Sequence, residues 1–300
     1  MSGRPSVMVI IPHWNRREDL RRCLWSLGRQ SYPHQTLVVD NASNDGSAEM
    51  VGKDFPSCLL YRCERNLGFG GATNIGLQSA LEAGLDYAML LNNDTVSDPE
   101  LIQELVWFAR QDPRRGIVAP NVYLLEAPER LWSAGGEIAL ARCHCRQLTE
   151  SSGEPRRVDY ASGCALLVSA AVIERVGLLD PRFFMYFEEV DWCLRARRAG
   201  FEIWQVPQAK LWHAVSGTLG EASAAVHYYM NRNRLLLMQK NLGFPAALRV
   251  MSSEYLRSLL VAKLRGERTR ARALWMAMAD FVAQRFGERP AASLSGSELE

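Results

Sequence analysis

Nothing in this sequence supplies a disulfide framework, a membrane span or a nucleotide P-loop. Its seven cysteines are an odd number with no Cys-x-x-Cys pair, so reduced cytosolic thiols are the simpler account. The Cys143-His144-Cys145 cluster has metal-binding residue types, but no further ligands stand nearby at zinc spacing. No uncharged apolar run reaches the roughly 20 residues of a membrane helix. Residues 1–11 lack the apolar core and cleavage site of a secretory leader, and the expectation is a cytoplasmic protein. A net charge of +2 argues against a dedicated nucleic-acid partner. No Gly-Lys-Ser/Thr occurs, which excludes a Walker A loop. Gly68-x-Gly70 is followed by Thr73 where a dinucleotide fingerprint needs Gly or Ala.

Apolar residues make up 48% of the 300, enough for a sizeable core. Residues 7–11 read as a fully buried, β-branched strand, followed by the loop Pro12-His13-Trp14-Asn15-Arg16-Arg17. Leu20, Cys23, Leu24 and Leu27 then recur at helical spacing. Residues 36–40 and 58–62 read as strands, and a helix over 72–83 follows the glycine-rich turn at 66–71. Strands alternating with helices at this spacing predict a mostly parallel sheet covered on both faces. In Ala88-Met89-Leu90-Leu91-Asn92-Asn93-Asp94 an apolar strand breaks into two amides and a carboxylate. Such an ending delivers polar groups to the carboxyl edge of a sheet, where open α/β folds bind ligands. Asp94 is there suited to a divalent cation, and a plain turn is the competing reading.

A helix from about Ser97 to Arg110 and a strand over 116–122 come next. Residues 123–159 lack periodicity and read as an insertion that sets acceptor specificity. Residues 180–187 form an aromatic-dense loop, and Glu188-Glu189-Val190-Asp191-Trp192 opens a helix. Carboxylates favour a helix start, but three in four residues exceed what that requires. Two short strands over 201–206 and 210–213 follow. From 246 to 286 the pattern is a basic amphipathic helix, with Leu248, Met251, Leu256, Leu259, Leu260 and Leu264 on one side. It fits either the inner face of a membrane or packing on the domain.

Four segments together resemble the inverting glycosyltransferases of family 2, which have the GT-A fold. They are Val9-Ile10-Ile11-Pro12-His13-Trp14-Asn15-Arg16, Val38-Val39-Asp40-Asn41-Ala42-Ser43-Asn44-Asp45-Gly46, Leu90-Leu91-Asn92-Asn93-Asp94 and Phe184-Met185-Tyr186-Phe187-Glu188-Glu189-Val190-Asp191. The Asn66-Leu67-Gly68-Phe69-Gly70-Gly71 turn is similar to the rhamnosyltransferase-like branch. The resemblance implies an α/β, GT-A-type fold with a mostly parallel central sheet, helices on both faces and a helical C-terminal extension. Residues 1–218 would be the catalytic domain, 219–289 the extension and 290–300 a disordered tail.

The resemblance also implies roles. Asn92-Asn93-Asp94 occupies the family's Asp-x-Asp position with one carboxylate missing, so Mg2+ or Mn2+ would rest on Asp94, the diphosphate and His213. Glu189 would take the proton of the acceptor hydroxyl, with Asp191 as the competing base and Glu188 on acceptor hydroxyls. Asp40 would bind a pyrimidine base, Pro12, Asn15 and Arg16 would line base and ribose, and Asn41, Asn66, Gly68, Asn74, Asn92 and Asn93 would complete the nucleotide-sugar site. Arg232 is a candidate for the diphosphate or else for a salt bridge. Ser43 and Asp45 read better as turn caps. The implied donor is a dTDP- or UDP-linked sugar such as L-rhamnose, and the acceptor a glycan or lipid-linked hydroxyl in cell-surface polysaccharide synthesis. Peripheral contact with the inner membrane face and a homo-oligomer stay open. A non-catalytic sugar-nucleotide scaffold or sensor is the alternative. A nucleotidyltransferase is a weaker one, because no basic glycine-rich loop follows the first strand.

Overall fold

The computed structural model describes residues 3–139, 141, 144–215 and 223–290. The chain forms two compact units. The first comprises residues 1–137, 146–179 and 189–215, and the second residues 138–145, 180–188 and 216–300. The aromatic loop at 180–188 therefore groups with the C-terminal helices, an association that sequence order does not suggest.

Elements follow one another as β1 (Val7–His13), α1 (Arg17–Leu27), β2 (Gln35–Asp40), α2 (Ser47–Asp54), β3 (Leu59–Arg62), α3 (Gly68–Glu82), β4 (Tyr87–Leu91), β5 (Thr95–Ser97) and α4 (Leu101–Ala109). Then come β6 (Ile117–Leu124), β7 (Leu131–Ser133), β8 (Gly136–Ala139), β9 (His144–Gln147), β10 (Arg156–Arg157), β11 (Ala165–Ser169), α5 (Ala170–Val176), α6 (Glu188–Arg198) and β12 (Ile203–His213). The helices α7 (Ala224–Leu242), α8 (Phe244–Val250), α9 (Leu256–Leu264) and α10 (Arg268–Val282) belong to the second unit.

The first unit is built on a ten-stranded sheet of order β10-β12-β6-β11-β4-β1-β2-β3, with β5 added on β12 and β7 on β6. The pairs β4–β1, β1–β2, β2–β3 and β6–β12 are parallel. β11 runs antiparallel between β4 and β6. The alternation of β1 explains how both faces are covered. Val7, Val9 and Ile11 join Leu20, Cys23, Leu24 and Leu27 of α1 and Leu101 and Leu105 of α4 in one core. Ile10 points the other way, under Gly76 of α3, where an added Cβ would come within 2.3 Å of its side chain. From β1 the chain first builds outward through β2 and β3, then returns to place β4 on the other side. The reversal makes the carboxyl ends of β1 and β4 a topological switch point, where doubly wound sheets bind ligands.

Several boundaries differ from the sequence reading. α3 begins at Gly68 rather than Ala72, because Gly68 takes a φ of +74° that the preceding turn requires. The two short strands after residue 200 are one strand, β12, with a register shift between Val206 and Lys210. The helical stretch 246–286 is broken by a π turn at Met251–Tyr255 and by the positive φ of Gly266. The final residues 291–300, read as a disordered tail, lie outside the described residues.

The second unit packs α7 against α8 and α10, and α9 against α10, around Leu235, Met238, Tyr255, Leu259, Leu274, Met278 and Phe281. It also holds the aromatic loop in a strained form. Phe184, Tyr186 and Phe187 have φ of +66°, +67° and +74°, each costing on the order of 1–3 kcal/mol. Asn233 opposes that cost, with Nδ2 at 2.8, 2.7 and 2.9 Å from the carbonyls of Phe183, Met185 and Tyr186.

Candidate active site

The switch point gathers three strand ends. His13 closes β1 and is paired in register with Asp40, which closes β2. Asn92, Asn93 and Asp94 follow β4 directly. All but Asn92 are buried. His13 accepts at Nδ1 from the Asn93 amide, 2.7 Å away, which leaves the proton on its Nε2. Burial drives the His13 imidazole down to about 4, against the pull of Asp40, Asp45 and Asp19, so the ring is neutral at physiological pH. Its buried Nε2 has no hydrogen-bond partner. Sequence reasoning quoted His13 within a motif but gave it no role. Its place at the end of a buried strand beside two other polar strand ends was the available signal.

Asp94 meets His213, the last residue of β12. The antiparallel pairing of β5 with β12 sets Thr95 opposite His213, and Oδ1 of Asp94 lies 3.0 Å from Nε2 of His213. The ring of His213 is held edge-on to Trp132, with centroids 5.1 Å apart. A carboxylate oxygen and an imidazole nitrogen thus converge in a buried place, a donor pair suited to a divalent cation that other ligands complete. Asn92 supplies no second carboxylate, and no group of three or more His, Cys, Asp and Glu side chains is placed to hold a metal ion among the described residues. The Cys143-His144-Cys145 cluster gains no support, although Cys143 itself lies outside the described residues.

Glu189 reaches the same end of the sheet through β11. The amide of Asn92 donates to the carbonyl of Cys164 at 2.9 Å, just before β11 begins. A Cβ added to the neighbouring Gly163 would stand 3.5 Å from Cβ of Glu189. Burial pushes the Cys164 thiol up to about 12, and the carboxylates of Asp94 and Glu189 both add to that shift. Asp94 and Glu189 therefore both act electrostatically on one residue of the first unit. Glu189 is half-buried, whereas Asp191 is buried and accepts from Nε of Arg195 at 2.8 Å. Glu188, expected to meet acceptor hydroxyls, is 4% exposed.

Several expected nucleotide ligands are engaged by the fold itself. Asn41 donates to Oδ1 of Asn66 at 2.8 Å and to the carbonyl of Gly68 at 3.2 Å, and accepts from the amide of Leu67. It braces the glycine-rich turn, together with Asn66, whose Oδ1 accepts from the amide of Gly68. Asn74 exchanges two hydrogen bonds with the backbone of Leu179, so its amide is a brace too. Asp40 accepts from the amide of Ser43 at 3.2 Å. Asn15, at φ +57°, accepts from the amide of Asn44, and Arg16 is tied to Asp19. Pro12 is half-buried in β1. Ser43 and Asp45 act as turn caps, accepting from the amides of Asn15, Arg17 and Ser47.

Arg232 requires a correction. It was a candidate for diphosphate, with a salt bridge as the alternative, and it does neither. Its guanidinium is buried in the second unit and donates to the carbonyls of Gly287, Arg182 and Phe183 at 2.7, 3.2 and 3.0 Å. Tyr228 and Tyr229 lie 5.2 and 5.0 Å from it. Its Nη2 serves the aromatic loop, while Nη1 and Nε donate to Gly287, Tyr228 and Asn233.

The mostly parallel sheet with its covering helices is the fold of GT-A glycosyltransferases. A solved mannosyltransferase from Pyrobaculum calidifontis, in complex with GDP-Man and Mn2+, superposes with a TM-score of 0.55 at 16% identity, over 95% of this chain and 89% of that one. Residues 8–177 match the family described as Glycosyl transferase family 2, and the chain belongs to that family. Its relatives include a low-salt glycan biosynthesis hexosyltransferase, Agl10, of Haloferax volcanii, 30% identical over 233 residues, 76% of this chain and 74% of that protein. Another is the N-acetylglucosaminyl-diphospho-decaprenol L-rhamnosyltransferase of Mycobacterium tuberculosis H37Rv, 28% identical over 298 residues, 89% and 96% of the two chains. The chain is a glycosyltransferase.

Proposed function

We propose that this glycosyltransferase moves L-rhamnose, with inversion, from a dTDP- or UDP-linked donor to a hydroxyl of a lipid-linked or polysaccharide acceptor. The observation that supports the mechanism is that Asn92, beside Asp94, bonds to Cys164 while the neighbouring Gly163 faces Glu189, and that burial first, then both carboxylates, push the Cys164 thiol up. The names of the relatives support the sugar and the acceptor class.

Asp94 and His213 would hold Mg2+ or Mn2+, which would offset the charge gathering on the departing diphosphate. Asp40 and the Pro12–Arg16 loop bind base and ribose, and the backbone at the start of α3, opened by Gly68, approaches the phosphates. The acceptor oxygen attacks the anomeric carbon from the face opposite the diphosphate. The carbon–oxygen bond to the diphosphate breaks with both electrons, and the hydroxyl proton passes to Glu189. Neutral His13 offers its Nε2–H to the donor without adding charge.

Incubation with a panel of nucleotide sugars, with Mg2+, Mn2+ or chelator, tests this reading without knowledge of the acceptor. Slow, metal-dependent hydrolysis of dTDP-rhamnose above the other donors is expected. Hydrolysis of a different donor would replace rhamnose. Nucleotide binding with neither hydrolysis nor metal dependence would favour the non-catalytic sensor that Asn92 keeps in view.

A further inference from the structure

The second unit carries a surface that its own core leaves outside. Tyr255, Leu259 and Ala262 turn inward and are buried. Leu256, Leu260 and Leu264 recur at four-residue spacing on another side, 50%, 58% and 79% exposed. At helical pitch they make one ridge about 12 Å long. Single exposed leucines are ordinary, whereas three in a row on one short helix are not. The sequence pattern had placed Leu259 with these three. The structure separates them, and packing within the second unit accounts for Leu259, as it does for Leu248 and Met251.

Charge identifies what the ridge meets. At 100° per residue Lys263 falls on one margin of the ridge and Arg257 on the other, and both are exposed. Residues 249–272 hold seven Lys and Arg against two carboxylates, Glu254 and Glu267. Both carboxylates are already engaged, Glu254 by Arg234 and Glu267 by Arg265 and Arg270. Arg249, Arg257, Lys263 and Arg268 make no ion pair among the described residues. A second copy across a two-fold axis would set these cations against themselves. A layer that is anionic at its surface and apolar beneath accommodates both features at once.

We propose that the outer face of α9, with Leu256, Leu260 and Leu264 between Lys263 and Arg257, docks on an anionic lipid surface. The leucines enter the boundary between headgroups and acyl chains, and the cations extend their stems toward lipid phosphates. This goes beyond glycosyl transfer and does not depend on which sugar is moved.

Sedimentation of the full-length protein with phosphatidylcholine vesicles, with and without about one-third phosphatidylglycerol, tests it. Partition should be at least about tenfold stronger on the anionic vesicles and fall with added salt. The combined change Leu256→Ser, Leu260→Ser, Leu264→Ser should lose about tenfold or more of that partition while donor hydrolysis and circular dichroism hold. Should that variant fold poorly, Leu260→Ser alone should lose about threefold. Arg257→Gln with Lys263→Gln should reduce the difference between anionic and neutral vesicles. Equal partition of the serine variants and the wild type would overturn the proposal, as would no wild-type binding to either vesicle. So would a wild-type dimer that the serine changes dissociate, since a second copy would then cover the ridge.

Discussion

Glu189 and Asp191 are two residues apart on α6 and so point to nearly opposite sides of the helix. Only Glu189 turns toward Gly163 and Cys164. Asp191 turns to Arg195, whose guanidinium also binds the carbonyls of Val176 and Leu178. A buried carboxylate held by a guanidinium is a poor proton acceptor. Glu189→Gln should therefore lower transfer by about 10²–10⁴-fold with nucleotide affinity unchanged. Asp191→Asn should instead lower stability, because it leaves Arg195 without its charge partner. Turnover and nucleotide titration on both variants check this. Near-normal turnover of Glu189→Gln would move the base to Asp191.

Contacts between elements decide which glycines and which loop residues the fold tolerates. Gly76 brings α3 onto β1 so closely that a methyl group would sit 2.3 Å from Ile10. Gly76→Ala should destabilise the chain by about 1–3 kcal/mol by overpacking, and Ile10→Ala, which removes the Cγ2 and Cγ1 atoms that the new methyl meets, should cost less in that chain than in the wild type. Denaturant midpoints measure both. Arg232 works in the same way between α7 and the aromatic loop. Arg232→Lys cannot reach Gly287, Arg182 and Phe183 together and should cost about 2–4 kcal/mol, with nucleotide affinity unchanged. An affinity loss without a stability loss would return Arg232 to the diphosphate. These two positions also mark how far the sequence could be read. The strand ends were legible, because apolar runs that stop at Asp40, Asn92 and His213 expose local polarity changes. The braces were not. Asn41, Asn74 and Arg232 look like ligands because amides and guanidinium groups serve ligands and backbone alike. Only the partners, up to 105 residues apart along the chain, tell the two uses apart.

Acid should act on the whole molecule in two separate windows. His13, in the first unit, has a folded value of about 4 against an ordinary 6.5, since burial disfavours its charged form. Between these values the unfolded chain takes up a proton that the folded chain refuses. Stability is thus fully present above about pH 6.5, falls as the pH drops toward 4, and levels off below, by about 3 kcal/mol in total. Asp180, in the second unit, behaves differently. Burial raises it, but hydrogen bonds from Arg182 and Lys240 outweigh burial and hold its carboxyl well below the usual carboxylate range. Its contribution is present above about pH 4 and is lost only as the pH falls below that. Urea unfolding at stepped pH should therefore show one decline between pH 6.5 and 4 that His13→Gln removes. A second decline at lower pH should shrink in Asp180→Asn. An acid limb that His13→Gln leaves unaltered would mean that the imidazole is already solvated in the folded chain, and the neutral Nε2–H assigned to the donor site would go with it.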